Sequence, residues 1–162
     1  MKKFMIFCIA LLLLVCPLQT AFAVGASENT EKNRLISETT EFFSDGTYVT
    51  VSVYEEENTE RATTTKTGSK VFRAHESDGT VIWTFTVQGT FSVNNGVSST
   101  CTAVSHSHSI SASSWSCKTS SSSKSGNTAT GTATFVKKIL FITTDTKECT
   151  VQLTCDKNGN LS

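Results

Sequence analysis

The stretch Val81-Ile-Trp-Thr-Phe-Thr-Val-Gln-Gly-Thr-Phe-Ser-Val93 alternates apolar and hydroxyl-bearing residues almost without fault. Val81, Trp83, Phe85, Val87, Phe91 and Val93 fall on one face, and Thr84, Thr86, Gln88, Thr90 and Ser92 on the other. Successive side chains of an extended chain point to opposite sides. The pattern therefore predicts a strand with one face in a core and the other toward water. Threonine suits such a strand because its branched β-carbon packs on a pleated surface. Gly89 falls on the apolar face and is expected to mark a bend or bulge.

Turn signals punctuate the chain on both sides of this strand: Asp45-Gly46, Asp78-Gly79, Asn94-Asn95-Gly96, Ser125-Gly126-Asn127 and Asn158-Gly159. Between them strands are predicted near 47–54, 70–76, 80–93, 98–109, 114–121, 128–137 and 146–155, and no helical apolar period persists. Short antiparallel strands at this spacing indicate an all-β fold, an antiparallel β-sandwich of immunoglobulin-like architecture forming one domain over 45–162. Residues 24–44 are polar and are expected to be a loosely ordered N-terminal segment, with one helical turn around Glu31 to Ile36. Thr59 to Thr67 reads as a connector, and Ser120-Ser-Ser-Ser123 as the end of a strand and its turn.

The first residues carry an address. Lys2 and Lys3 precede the apolar run Phe4 to Val15, Pro17 breaks it, and Ala21-Phe22-Ala23 is a cleavage signal, so 1–23 reads as a signal peptide. The run is short for a bilayer span, and no transmembrane segment is expected in the mature chain. Acylation at Cys16 is disfavoured by bulky Val15 and by Pro17. The chain is therefore expected to be secreted, extracellular or associated with the envelope, from about Val24 onward. Loss of Lys2 and Lys3 leaves 12 basic against 14 acidic residues, a net charge of −2. That balance offers no electrostatic attraction to nucleic acid or to an anionic membrane.

Cys8 and Cys16 leave with the signal, and Cys101, Cys117, Cys149 and Cys155 remain. In an exported chain they read as two disulfides. Within one strand Cys149 and Cys155 would stand about 20 Å apart, whereas a bridge needs Cα atoms within about 7 Å. Cys101 lies near the start of its strand and Cys155 near the end of its own. Antiparallel neighbours would join these two, leaving Cys117 for Cys149. A four-thiolate zinc site would prefer paired C-x-x-C spacing, absent here.

Thr64-Thr-Lys-Thr-Gly-Ser-Lys70, Trp83-Thr-Phe-Thr-Val-Gln-Gly-Thr-Phe91, Ser99-Thr-Cys101, Lys124-Ser-Gly-Asn-Thr128 and the close Val151-Gln-Leu-Thr-Cys-Asp-Lys-Asn-Gly-Asn-Leu-Ser162 together resemble a family of small secreted β-proteins of Gram-positive bacteria without an assigned activity. The resemblance covers roughly 45–162. It implies a single secreted β-domain and brings no catalytic residues with it.

The chemistry-bearing residues are sparse. His106 and His108 are two apart and would point to one side of a strand, a chelating geometry that His75 or a carboxylate could complete as a metal site. They lie among alternating serines, however, and on parity oppose Cys101 and Ala103, so solvent-facing histidines are expected. No G-x-S-x-G elbow or supported S-x-x-K context occurs. His75-Glu-Ser-Asp78 holds triad residue types too close in sequence to form a relay. Glu55-Glu-Glu57 reads as a solvated run, and there is no phosphate-binding or dinucleotide fingerprint. Ile139-Leu-Phe-Ile142 follows Lys137-Lys138, where a polar turn would be ordinary. Two readings compete for it: a continuation of the core, and an exposed tip that meets a partner or membrane surface. The core is favoured, because four adjacent apolar residues in water promote aggregation. On that reading Phe141→Ala would cost about 3–5 kcal/mol.

The residues thus point to a secreted protein that is not an enzyme, needs no cofactor, and works by binding or by structure. Its partner would be a protein or glycan at the cell envelope. A bacteriocin-like effector or inhibitor is the first alternative, and a metal-dependent hydrolase using His75, His106 and His108 is the second.

Overall fold

Eight strands run through the described residues, 33–57 and 65–162 of the computed structural model. They are β1 (Asn33–Phe42), β2 (Tyr48–Glu56), β3 (Thr65–His75), β4 (Val81–Asn94), β5 (Ser98–Ile110), β6 (Trp115–Ser125), β7 (Thr128–Ile139) and β8 (Ile142–Thr154). All pairings are antiparallel, in a five-stranded sheet ordered β1-β2-β3-β4-β5 and a three-stranded sheet ordered β6-β7-β8. No helix occurs among these residues. Every strand pairs with its neighbour in sequence, and the chain changes sheet once, between β5 and β6. This sequential order differs from the Greek-key connections of immunoglobulin domains, although the two-sheet, sandwich-like arrangement is shared. The signal peptide expected over 1–23 lies outside the described residues, as do residues 24–32 of the N-terminal segment expected over 24–44.

The alternation is realised from Trp83 to Val93; at the start of the strand a register shift leaves Val81 half-buried and Ile82 buried. Trp83, Phe85, Val87, Gly89, Phe91 and Val93 are buried, while Thr84, Thr86, Gln88, Thr90 and Ser92 are less so. This inner face meets the inner face of β7, and residues of both sheets form one hydrophobic core. Trp83 stacks on Phe135 with ring centroids 4.0 Å apart, and Phe72 of β3 also stacks with Trp83, at 5.7 Å.

Two glycines allow the sheets to close to this distance. A β-carbon at Gly131 of β7 would stand 2.3 Å from Cγ2 of Val87 and 3.0 Å from the Phe85 ring. Gly89 shows no bulge of its own. Its missing side chain leaves room for Phe91, whose ring would lie 2.8 Å from a β-carbon there, and for Ala129. The bulge lies across the pair instead: Cys101 faces Phe91 and Ala103 faces Thr90, leaving Thr102 extra on β5.

The turns follow the glycines. Gly46, Gly79, Gly96, Gly126 and Gly159 all have positive φ, between 55° and 92°, a region where a side chain is penalised. Every turn signal read from the sequence is therefore a turn for that backbone reason.

The N-terminal expectation needs correction. Asn33–Phe42 is strand β1, paired along its length with β2, where a loose segment with a helical turn around Glu31–Ile36 was expected. All ten residues of β1 are exposed, so no apolar periodicity announces it. The backbone ladder holds it, helped by Ser52 Oγ donating to Glu38 at 2.7 Å and by Arg34 donating to Glu55. Burial alone would raise the Glu55 carboxyl, but hydrogen bonds from Lys66 and Arg34 hold it below its ordinary range. Glu55 therefore belongs to an ion-pair cluster rather than to a solvated run. The connector expected at Thr59–Thr67 overlaps β3, which starts at Thr65, and its residues 59–64 lie outside the described ones.

The close approach of β7 to β4 yields a direct expectation. Gly131→Ala adds one methyl where Val87 is fully buried and has no room to retreat, and overpacking of this kind typically costs about 1–3 kcal/mol. A urea or thermal melt of the variant should show that loss, whereas an unchanged midpoint would mean that the sheets are not pinned there.

Candidate binding surface at one end of the sandwich

Antiparallel neighbours place alternate connections at the same end of a sheet, and one end here gathers the β1–β2 turn, the β3–β4 turn, the β5–β6 crossing and the β7–β8 hairpin. Two features mark it: an apolar fingertip and an aromatic cleft.

The fingertip is Ile139-Leu-Phe-Ile142. Ile139 pairs with Ile142, so Leu140 and Phe141 are the whole loop of a two-residue hairpin. Such hairpins favour turns with positive φ at both loop positions, usually filled by Asn-Gly. Leu140 and Phe141 adopt φ of 48° and 70° without being glycine or asparagine. Their side chains are 86% and 99% exposed, with Ile139 and Ile142 at 54% and 68%. This overturns the core reading. The hairpin runs past the point where the opposite sheet could cover it, so Leu140 and Phe141 stand almost wholly in solvent and Ile139 and Ile142 more than half so.

Phe42 and Phe43 add to the apolar surface of this end, with exposures of 73% and 47%. Phe42 packs against Tyr48 at 5.2 Å between ring centroids. Between the sheets below lies a cleft of about 180 Å³, floored by Val49, Phe72, Ile82, Trp83 and Trp115. Phe43, Tyr48, Lys137, Asp145 and Lys147 also line it, which ties the β1–β2 turn to the base of the hairpin. The indole N–H groups of Trp83 and Trp115 are buried without an acceptor, an arrangement that costs about 1–3 kcal/mol for each such group.

The histidines are not brought together as a site. His75 is buried, stacked on Tyr48 at 4.5 Å, with Thr50 Oγ1 3.0 Å from Nε2 and the Gly79 carbonyl 3.2 Å from Nδ1. His106 shares hydrogen bonds with Ser122 and Ser120 of β6 at 2.9 and 3.2 Å. His108 turns its ring edge-to-face with Phe135 at 6.2 Å. Among the described residues no three His, Cys, Asp or Glu gather as ligands for a metal. The parity argument that sent His106 and His108 to the outer face fails at Thr102. The bulge reverses the alternation, so His106 and His108 stand opposite Val87 and Phe85, and directly opposed residues share a face; on this edge strand, however, His108 is still exposed, as expected, and His106 is half-buried.

The cysteines carry free thiols in this structure. The amides of Cys101 and Cys155 donate to the successive carbonyls of Gly126 and Asn127, at 2.7 and 3.1 Å. That places the two residues beside one another at the end of the sandwich opposite the hairpin. Cys117 lies opposite Phe135 and Cys149 opposite Ala133, so β7 runs between them. Two strand spacings are about 9.6 Å, and a bridge there requires backbone movement. Burial pushes the Cys149 thiol up to about 11, so it stays protonated and a poor nucleophile at neutral pH.

No family model, curated protein or solved structure matches this chain. Among the described residues no helix is long and apolar enough to cross a membrane.

A Leu and a Phe held at positive φ store conformational strain of about 1–2 kcal/mol for each residue. The double substitution Leu140→Asn with Phe141→Gly supplies the residues this turn prefers and removes no buried contact. It should raise stability by about 1–3 kcal/mol, read as a higher denaturant midpoint. A lowered midpoint would show that the fingertip supports the fold.

Proposed function

We propose that this chain is a secreted, disulfide-stapled β-protein that works by binding at the cell envelope, and that it binds through the end carrying the Ile139–Ile142 hairpin. The observation that carries this reading is the hairpin itself. Four adjacent apolar side chains stand in water on a strained turn where Asn-Gly would be both more soluble and more relaxed. Such a surface is an aggregation hazard unless something covers it. The aromatic cleft and Phe42–Phe43 at the same end widen the contact available to a partner. The export signal and the resemblance to small secreted proteins of Gram-positive bacteria support the location, and the family relationship is part of the proposal. Nothing in the positions of His75, His106 and His108 favours the hydrolase alternative.

Of the staples, Cys101–Cys155 is the better supported, because no strand intervenes between the two residues. It would close a loop of about 55 residues, worth about 4 kcal/mol in the chain-entropy account. Peptide mapping of unreduced protein should return a Cys101–Cys155 peptide, and a Cys149–Cys155 peptide or a free Cys101 would refute the staple.

The binding reading is tested with isolated envelope material. Labelled protein should be retained, and the Leu140→Asn/Phe141→Gly variant, shown by its melt to be at least as stable, should be released. Equal retention of the two, or none of either, would remove the hairpin from the binding surface.

A further inference from the structure

We propose that the partner of the hairpin is a lipid bilayer, with Leu140 and Phe141 seated at the boundary between headgroups and acyl chains. This rests on the binding reading above and names its partner.

The shape favours it. Leu140 and Phe141, at 86% and 99% exposure, form a convex point rather than a groove. A protein partner would have to bring a matching socket, whereas a fluid bilayer conforms to any protruding apolar tip. The four side chains hold no polar atom with which to bind the hydroxyls of a glycan.

The depth matches as well. Lys138 pairs with Thr143 one step behind the Ile139–Ile142 pair. Two strand steps separate that level from the loop, about 7 Å. Interfacial apolar faces sink about 5–10 Å, so insertion of the loop brings Lys138 to the phosphates, where a long cationic side chain snorkels favourably. Phe42 at the end of β1 and Phe43 in the turn after it add exposed apolar rings at the same end, and Phe and Leu are residues of the apolar faces that lie in membrane interfaces.

Charge decides which lipids. Lys137, Lys138 and Lys147 near the hairpin are opposed by Asp145, which pairs with Lys147 at 3.6 Å, and by Glu148. Asp45 of the β1–β2 turn and Glu76 and Asp78 of the β3–β4 turn add negative charge at the same end. The mixture gives no net pull toward anionic headgroups. Burial of apolar surface drives the insertion, so zwitterionic lipid suffices.

The test is flotation of the processed chain with vesicles of pure phosphatidylcholine. The wild-type protein should float with them, and 0.5 M salt should change the bound fraction by less than about twofold. Leu140→Asn/Phe141→Gly, and independently Phe141→Ser with an unchanged melt, should lower binding by about tenfold or more. No flotation, flotation that needs anionic lipid and vanishes in salt, or variants that float like wild type would each overturn the proposal. Retention on envelope material after lipid extraction, without vesicle binding, would leave the binding reading standing and defeat the bilayer. Loss of both would defeat both.

Discussion

The contact of β4 with β7 holds the two sheets together, and most of the molecule's other features follow from it. Trp83 stacks on Phe135 at 4.0 Å, and Val87 and Phe85 fill the space that a side chain at Gly131 would take. These groups are large, apolar and fully or nearly buried, so their removal from water is the main source of cohesion between sheets joined by one crossing. Aromatic pairs in offset arrangements add about 0.5–1.5 kcal/mol beyond their area. The closest approach, at Val87 and Gly131, lies within the strands rather than at their ends, and Trp83 and Phe135 continue the contact toward the cleft. At one end Leu161 and Cys155 close the core; at the other the sheets part around the cleft.

The fold was legible wherever one face of a strand is buried and unreadable where neither is. Val81–Val93 carries its alternation because the β4 inner face meets the other sheet and its outer face meets water. β1 carries none because both of its faces are exposed, and a strand held mainly by its backbone ladder leaves little trace in side-chain type. The five glycine turns were read correctly because their backbone demands glycine. The sixth turn, at Leu140-Phe141, was misread for the converse reason: it adopts a glycine conformation without a glycine.

The site was legible in part. Ile139–Ile142 stood out as apolar residues in a turn position, yet general solubility argued for burying them, and that argument has no knowledge of where the opposite sheet ends. The histidine faces were lost to a single extra residue. One bulge at Thr102 shifts the register by one, and every side chain beyond it changes sides. Nothing in Cys101-Thr-Ala-Val marks that residue, although Val104 and Ile110 share the parity of the histidines and pointed to it. The cleft drew on residues from β2, β3, β4, β6, β7 and β8, a convergence that no local pattern contains.

Strain and exposure at the hairpin are two aspects of one choice of residues. A turn with Asn-Gly would relax the backbone and remove the apolar tip together, so stability and solubility both argue against Leu140 and Phe141. Strained residues persist where the surrounding structure over-determines them, and here the long β7–β8 ladder, continuous but for one register shift after Lys137, supplies that support. The ladder presents the loop in one preformed shape, and on the proposed binding reading a preformed tip would lose little conformational freedom on being covered. The pairing of Lys138 with Thr143 sets that lysine two strand steps behind the tip. A flexible loop of identical composition would collapse its apolar side chains onto the nearby cleft, beside Phe43 and Tyr48, and offer nothing to a surface. The strained two-residue turn prevents that collapse, which gives it a physical role that a relaxed turn bearing the same side chains on a longer loop would not fill.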